Sequence, residues 1–124
     1  MNQTTQTPKK ILIIEDEGEM CLLLDLLLNN ENTKVEHVKT IAGAKEFFVK
    51  EIPHLVLLDN RLPDGFGMEF LIALKKTYPL VKVIMITGVD RDVEDVALFS
   101  GADIFLNKPF TRTELYDAVQ KLLN

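Results

Sequence analysis

The sequence has a single cysteine, Cys21, so no internal disulfide can form and a disulfide-stapled scaffold is excluded. Cys21 lies in a leucine-rich helical segment and reads as a small buried hydrophobe. Only two histidines occur, His37 and His54, and neither sits at the carboxyl end of an apolar run. Both read as surface or loop residues rather than metal ligands. No apolar run approaches membrane-spanning length. The opening residues Met1 to Pro8 are polar, without the apolar core of a signal peptide, so a cytoplasmic chain with no membrane partner is expected. An excess of basic charge is also missing: 14 Lys and Arg stand against 19 Asp and Glu, a formal net charge of −5. Basic residues pair up only at Lys9-Lys10 and Lys75-Lys76, and an acidic domain repels a phosphate backbone, which disfavours direct nucleic-acid binding. What remains is an ordinary globular composition over 124 residues, enough for one well-buried core.

The stretch around which the chain is organised is Leu55 to Gly65. Leu55 to Leu58 is an unbroken apolar run between Pro53 and a Pro-Asp-Gly turn, and reads as a strand buried on both faces. Asp59 leaves its carboxyl end, where open α/β sheets place their ligands. Taken alone, Asp59 serves equally well as a turn-former.

Further elements come in strict alternation. Residues 1–8 form a polar lead-in and 9–124 the domain. Lys10 to Ile14 is a β-branched strand followed by Glu15-Asp16-Glu17-Gly18, and Met20 to Leu28 is helical. Lys34 to Val38 alternates in character like a strand near an edge. Thr40 caps a helix to about Lys50, with Ala44, Phe47 and Phe48 inward. A helix from about Gly67 to Thr77 is apolar at Met68, Leu71, Ile72 and Leu74. Val81 to Ile86 is a fourth buried strand, leading to Thr87. Arg91 to Ser100 reads as a short helix closed by Gly101, although Gly88-Val89-Asp90 offers little to fix its start. Asp103 to Leu106 is a fifth strand, and Thr111 caps a last helix with Leu115, Ala118, Val119 and Leu122 inward. Glu114 and Asp117 read as its solvated face. Such alternation implies right-handed crossovers and a parallel sheet covered by helices on both sides.

In a parallel sheet all carboxyl ends share one edge. Glu15 and Asp16, Asp59, Thr87 and Lys108 therefore converge. Clustered carboxylates repel unless a cation joins them, and hard oxygen donors of this kind suit Mg²⁺. An aspartate there can act as a nucleophile toward phosphorus, with Lys108 neutralising the phosphoryl oxygens.

The motifs Ile-Leu-Ile-Ile-Glu-Asp-Glu, Leu-Asp-Asn-Arg-Leu-Pro-Asp-Gly, Ile-Thr-Gly and Asn-Lys-Pro-Phe, in this order, resemble the response-regulator receiver domain of two-component signal transduction. The resemblance covers about Lys9 to Asn124. It implies a flavodoxin-like doubly wound (βα)5 sandwich with strand order 2-1-3-4-5. It also implies a signalling switch that catalyses only its own phosphorylation and dephosphorylation. Asp59 would accept a phosphoryl group from a histidine kinase or histidine phosphotransfer domain. Asp16, Asp59 and the backbone carbonyl of Arg61 would bind Mg²⁺ directly, and Glu15 through water. Thr87 and Lys108 would contact the phosphoryl group, Phe105 would be the aromatic switch, and the Lys108–Pro109 bond would be cis. Asp64, on the Pro63 turn, leaves the cleft and would take no part. A downstream protein target or effector domain would read the signal, with a phosphorylation-dependent homodimer as a further expectation. Glu15 stands where the family usually has aspartate, and Phe105 lacks a hydroxyl, so any switching there works by packing.

On the first helix, successive residues lie about 100° apart. Met20, Leu23, Leu24 and Leu27 then share an inward face, while Leu22 and Leu26 stack on the opposite side as a small partner-facing patch. In receivers this helix is commonly where the kinase docks. Two rival functions are weaker. A haloacid-dehalogenase-type Mg²⁺-dependent phosphatase needs a second aspartate two residues after the nucleophile, where Arg61 stands. A flavodoxin-like cofactor binder needs a phosphate loop where Glu15 to Glu19 would repel phosphate.

Overall fold

The computed structural model describes residues 7–88 and 91–124, with the backbone alone at Arg91. Most of the expected lead-in, residues 1–6, and the weak start of the fourth helix at Val89 and Asp90 lie outside the described residues.

Five parallel strands are β1 (Lys9–Ile14), β2 (Thr33–Val38), β3 (Leu55–Asp59), β4 (Lys82–Thr87) and β5 (Ile104–Asn107). They lie in the order β2-β1-β3-β4-β5, the flavodoxin-like doubly wound arrangement expected from the sequence. Helices α1 (Gly18–Leu28), α2 (Ile41–Lys50), α3 (Gly67–Thr77), α4 (Glu94–Phe99) and α5 (Arg112–Leu123) alternate with them. Every residue of β3 is buried, as its unbroken apolar run requires. Its alternate side chains feed two separate cores. Leu12, Val56, Leu58, Val83 and Met85 pack with Ala44, Phe48, Phe70, Leu71 and Leu74 of α2 and α3. Ile11, Ile13, Leu55, Leu57 and Ile84 pack with Leu24 and Leu28 of α1 and Leu115, Ala118 and Val119 of α5. Each fully buried leucine or isoleucine contributes roughly 1.5–3 kcal/mol of transfer free energy.

Structure and sequence reading part company at several side chains. Leu23, read as inward, is 45% exposed, and the buried face of α1 runs through Cys21, Leu24 and Leu28. That face is phased by the spacing i, i+3, i+7, which a segment leucine at nearly every position cannot reveal. Ile72, named among the apolar positions of its helix, is 41% exposed, while Phe70, not among them, is buried in the core. α4 is only six residues long, preceded by a 3₁₀ turn at Arg91–Val93. Gly101 closes it at φ +114°, a conformation that costs glycine nothing. Glu114 is not merely solvated. Its carboxylate accepts from Thr111 N at 2.8 Å while the Thr111 hydroxyl accepts from Glu114 N at 3.0 Å, a reciprocal cap.

Between β3 and α3 the chain forms a small antiparallel ribbon, Arg61–Leu62 against Gly65–Phe66. At its tip, the Asp64 carboxylate accepts hydrogen bonds from Ile41 N at 2.9 Å and Ala42 N at 3.0 Å. The Thr40 hydroxyl accepts from Gly43 N, so three successive amides at the start of α2 are satisfied by side chains. Those backbone donors hold the Asp64 carboxyl below its ordinary value. A depressed carboxyl stabilises the fold above its unfolded pKa, and that contribution disappears as pH falls through the folded value. Asp64→Ala should therefore melt lower than wild type at pH 7, with the deficit shrinking below about pH 4. Thermal melts of both proteins across that range check this; a deficit that stays constant down to low pH would contradict the charged-cap account.

Candidate functional site

Strand register assembles the cleft. Ile14 of β1 pairs with Leu58 of β3, so Glu15 and Asp59, each one residue further on, emerge at the same level. Asp59 lies beside Ile86 of β4, and Thr87 beside Asn107 of β5, which places Thr87 and Lys108 one step beyond. Four residues far apart in sequence thus meet at one edge because parallel strands deliver their carboxyl ends together.

Glu15, Asp59 and Thr87 are buried, while Asp16 is exposed at the mouth. The Lys108 ammonium donates to Glu15 Oε1 at 2.7 Å and to Asp59 Oδ2 at 3.3 Å. The second Glu15 oxygen accepts from Glu17 N at 3.1 Å, and the Glu15 carbonyl accepts from the buried Cys21 thiol. Burial and then the Glu15 charge push the Cys21 thiol up, which leaves it a packing group rather than a nucleophile. Asp59 Oδ1 faces the Arg61 amide at 3.5 Å.

One ammonium serves two buried carboxylates, with a third at the rim. Burial and then the Glu15 charge push the Asp59 carboxyl up to about 6, against the pull of Lys108. For Lys108 burial pulls downward, but the hydrogen bond to Glu15 and the charges of Asp59 and Glu15 outweigh it and hold the ammonium above its ordinary value. Glu15, Asp16 and Asp59 each offer an oxygen within 4.8 Å of the others. A hard divalent cation fits this donor set: it consists of carboxylate oxygens alone, and Lys108 neutralises only part of their charge.

Arg61 carries an exposed side chain at the position where the phosphatase alternative needs its second aspartate, so that reading gains no support. Phe105 is half-buried on β5 beside Met85 and packs against the core on the α2–α3 side. The Lys108–Pro109 bond is cis. Leu22 and Leu26, at 61% and 71% exposed, lie apart from the cleft on α1, with Leu23 adding to the same apolar surface. His37 and His54 are exposed, and His54 Nδ1 accepts from Lys10 N at the opposite end of the sheet. One buried polar residue beside the cleft escaped the sequence reading: Asn60, 3% exposed, whose side chain accepts from Met68 N at 3.0 Å. An asparagine in a turn segment is too common to stand out without its burial.

No helix among the described residues is long and apolar enough to cross a membrane. The regulatory protein VanR of Enterococcus faecium is 39% identical over 117 residues, covering 92% of this chain and 49% of that protein. VanRc of Enterococcus gallinarum is 32% identical over 116 residues, covering 93% of this chain and 50% of that protein. The chain thus spans about half the length of these curated relatives. The crystal structure of a CheY-like response regulator receiver domain protein from Methanospirillum hungatei superposes with a TM-score of 0.86 at 29% identity, covering 93% of each chain. The family model for the response regulator receiver domain matches residues 11–120. That match runs from the first buried strand into the last helix and takes in every strand end that lines the cleft: the chain belongs to the response regulator receiver domain family.

Proposed function

We propose that this chain is a phosphorylation-activated switch of a two-component system, with Asp59 as the phosphoryl acceptor. The observation that carries this is Lys108 bridging Glu15 and Asp59 with Asp16 within reach, a buried nucleophile already paired with the cation that would meet a phosphoryl oxygen. The donor is a histidine kinase or histidine phosphotransfer domain: the phosphorus–nitrogen bond of its phosphohistidine breaks as an Asp59 oxygen forms the new bond to phosphorus. Mg²⁺ is the cation the site would hold, on Asp16, Asp59 and the Arg61 carbonyl with Glu15 through water, and it would supply charge neutralisation to the transferring phosphoryl group. The protein turns over no other substrate. It works in the cytoplasm as a receiver spanning residues 9–124.

The remaining groups read the event out. Lys108 keeps one phosphoryl oxygen paired, and the Thr87 hydroxyl donates to another. Movement of Thr87 toward the phosphoryl group leaves room that the Phe105 ring fills, at little cost because the ring has no polar atom to desolvate. Phosphorylation shifts that balance only by its differential interaction with the two states. The altered surface of α4, β5 and α5 then engages a downstream protein target or effector domain, or a second copy. The exposed Leu22–Leu26 patch of α1 is the docking face for the phosphoryl donor.

Incubation with acetyl phosphate and Mg²⁺ should add one phosphoryl mass, labile to hydroxylamine, and Asp59→Asn should abolish it while Asp64→Ala leaves it intact. Undiminished labelling of Asp59→Asn by intact-mass spectrometry would refute the assignment.

Metal and pH effects follow from the crowded carboxylates. A carboxyl raised to about 6 opposes folding once ionised, so the metal-free protein should lose stability as pH rises from about 4 through 6. Asp59→Asn lacks that loss and should be more stable than metal-free wild type at pH 7, by roughly 1–3 kcal/mol. Added Mg²⁺ should raise the wild-type melting temperature by ligand linkage, and Asp16→Ala should lose both this gain and the labelling. Denaturant melts with and without Mg²⁺ test both statements; wild-type and Asp16→Ala proteins responding alike would exclude Asp16 as a ligand.

Phe105→Ala should leave labelling nearly intact yet weaken phosphorylation-dependent partner binding or dimerisation, and Thr87→Ala should add a loss in the phosphorylated state itself. Relaxation-dispersion NMR on the β4–β5 segment is the direct check. Flat profiles without phosphate and unshifted amides with it would move the readout away from this surface.

A further inference from the structure

α3 begins without a cap of its own. Phe66, at the N-cap position, is extended at φ −102° and ψ 134° and supplies no side-chain acceptor. The first amides of a helix nevertheless need partners. They find them at the end of β3. The Asn60 carbonyl accepts from Gly67 N at 2.7 Å, and Asn60 Oδ1 accepts from Met68 N at 3.0 Å. Gly67 also lies hard against the acceptor residue: a Cβ there would sit 2.2 Å from the Asp59 carbonyl oxygen, closer than any side chain tolerates. Between these contacts, Arg61 pairs with Phe66 in the ribbon and closes the loop.

Two hydrogen bonds from one residue to successive amides do more than cap a helix. The Asn60 carbonyl and side chain each accept from the start of α3, at Gly67 N and Met68 N, so the residue between Asp59 and Arg61 is tied to that helix at two points. We propose that Asn60 is a positioning residue for the acceptor site: its bond to the Met68 amide holds the Asp59 carboxylate and the Arg61 carbonyl in the one arrangement that can share a cation. The assignment rests on the reading of Asp59 as acceptor and deepens it. Groups that orient metal ligands from behind commonly change metal affinity by about 10–100-fold when removed.

A purely structural cap would be replaceable by another cap, and Phe66 provides the means to test this. It is 51% exposed and already has N-cap backbone geometry, so Phe66→Ser gives α3 a neutral acceptor of its own. Asn60→Ala should lower the melting temperature by roughly 4–8 °C, as expected for one orphaned, partly buried amide. It should also weaken Mg²⁺ binding by about tenfold, read from NMR titration of the Asp59 and Arg61 amides. In the Asn60→Ala/Phe66→Ser protein the melting temperature should recover while Mg²⁺ affinity stays low, with Phe66→Ser alone as the control. Where Asn60→Ala alone is too unstable, the Phe66→Ser background carries the measurement. If Mg²⁺ affinity recovers in step with stability, Asn60 is a helix cap and nothing more, and the proposal is overturned. Wild type is titrated alongside: if it takes up no Mg²⁺, the acceptor reading fails and this one with it. If wild type binds and the double variant binds equally, only the Asn60 assignment fails.

Discussion

Two carboxylates held in a buried cleft by one ammonium is the constraint on which this molecule turns. Glu15 and Asp59 would repel each other without Lys108, and Lys108 would be costly to bury without them. None of the three could be there unless β1, β3 and β5 ran parallel in one sheet, because Asp59 is the last residue of β3, and Glu15 and Lys108 directly follow the last residues of β1 and β5. The apolar strands do more than fill a core. They bring together groups that the chain keeps far apart, 93 residues in the case of Glu15 and Lys108. The pairing remains incomplete in charge, and that imbalance is what makes the cleft receptive to a cation rather than a closed structural salt bridge.

Much of this is legible in the residues because the signals involved are strong. A long apolar run with a charged residue at its carboxyl end is hard to place except as a buried strand opening onto a cleft, and β3 is the clearest example. Thr40 and Thr111 announce their helices by cap chemistry alone. Side chains decided by phase are harder. In α1 leucines occupy so many positions that any face can be drawn through them, and only packing shows that Cys21, Leu24 and Leu28, not Leu23, define the buried stripe. In α3 Ile72 is as apolar as Phe70, and only the packing of the Phe70 ring against Phe48 decides which faces in. Glu114 stands at the fourth position of a capping box, yet its charge on a polar face suits solvent just as well. Asp64 is not readable because it acts on α2, although α3 is the nearer helix in sequence, and Asn60 because an asparagine in a turn does not stand out without its burial.

The loop from Asp59 to Met68 is accordingly more than a connection. Asp64 at its tip satisfies α2, and Asn60 at its base satisfies α3. The ribbon between them ties the two ends together. Two helices on the same side of the sheet therefore have first-turn amides satisfied by the segment that carries Asp59, and disturbance at Asp59 has a covalently short route to both.

α4 stands in contrast to that loop. Ala97 is its one fully buried residue, while Val96, Leu98 and Phe99 are 52%, 42% and 93% exposed. Burial of an alanine methyl is worth about 0.8 kcal/mol, a small fraction of what anchors a leucine-lined helix. Rolling, shortening or lifting this helix off the sheet thus sacrifices little apolar contact, whereas α1 or α3 could not move without opening a core. Susceptibility to rearrangement is built unevenly into the fold, and it is concentrated beside β4 and β5, the two strands that deliver Thr87 and Lys108 to the cleft.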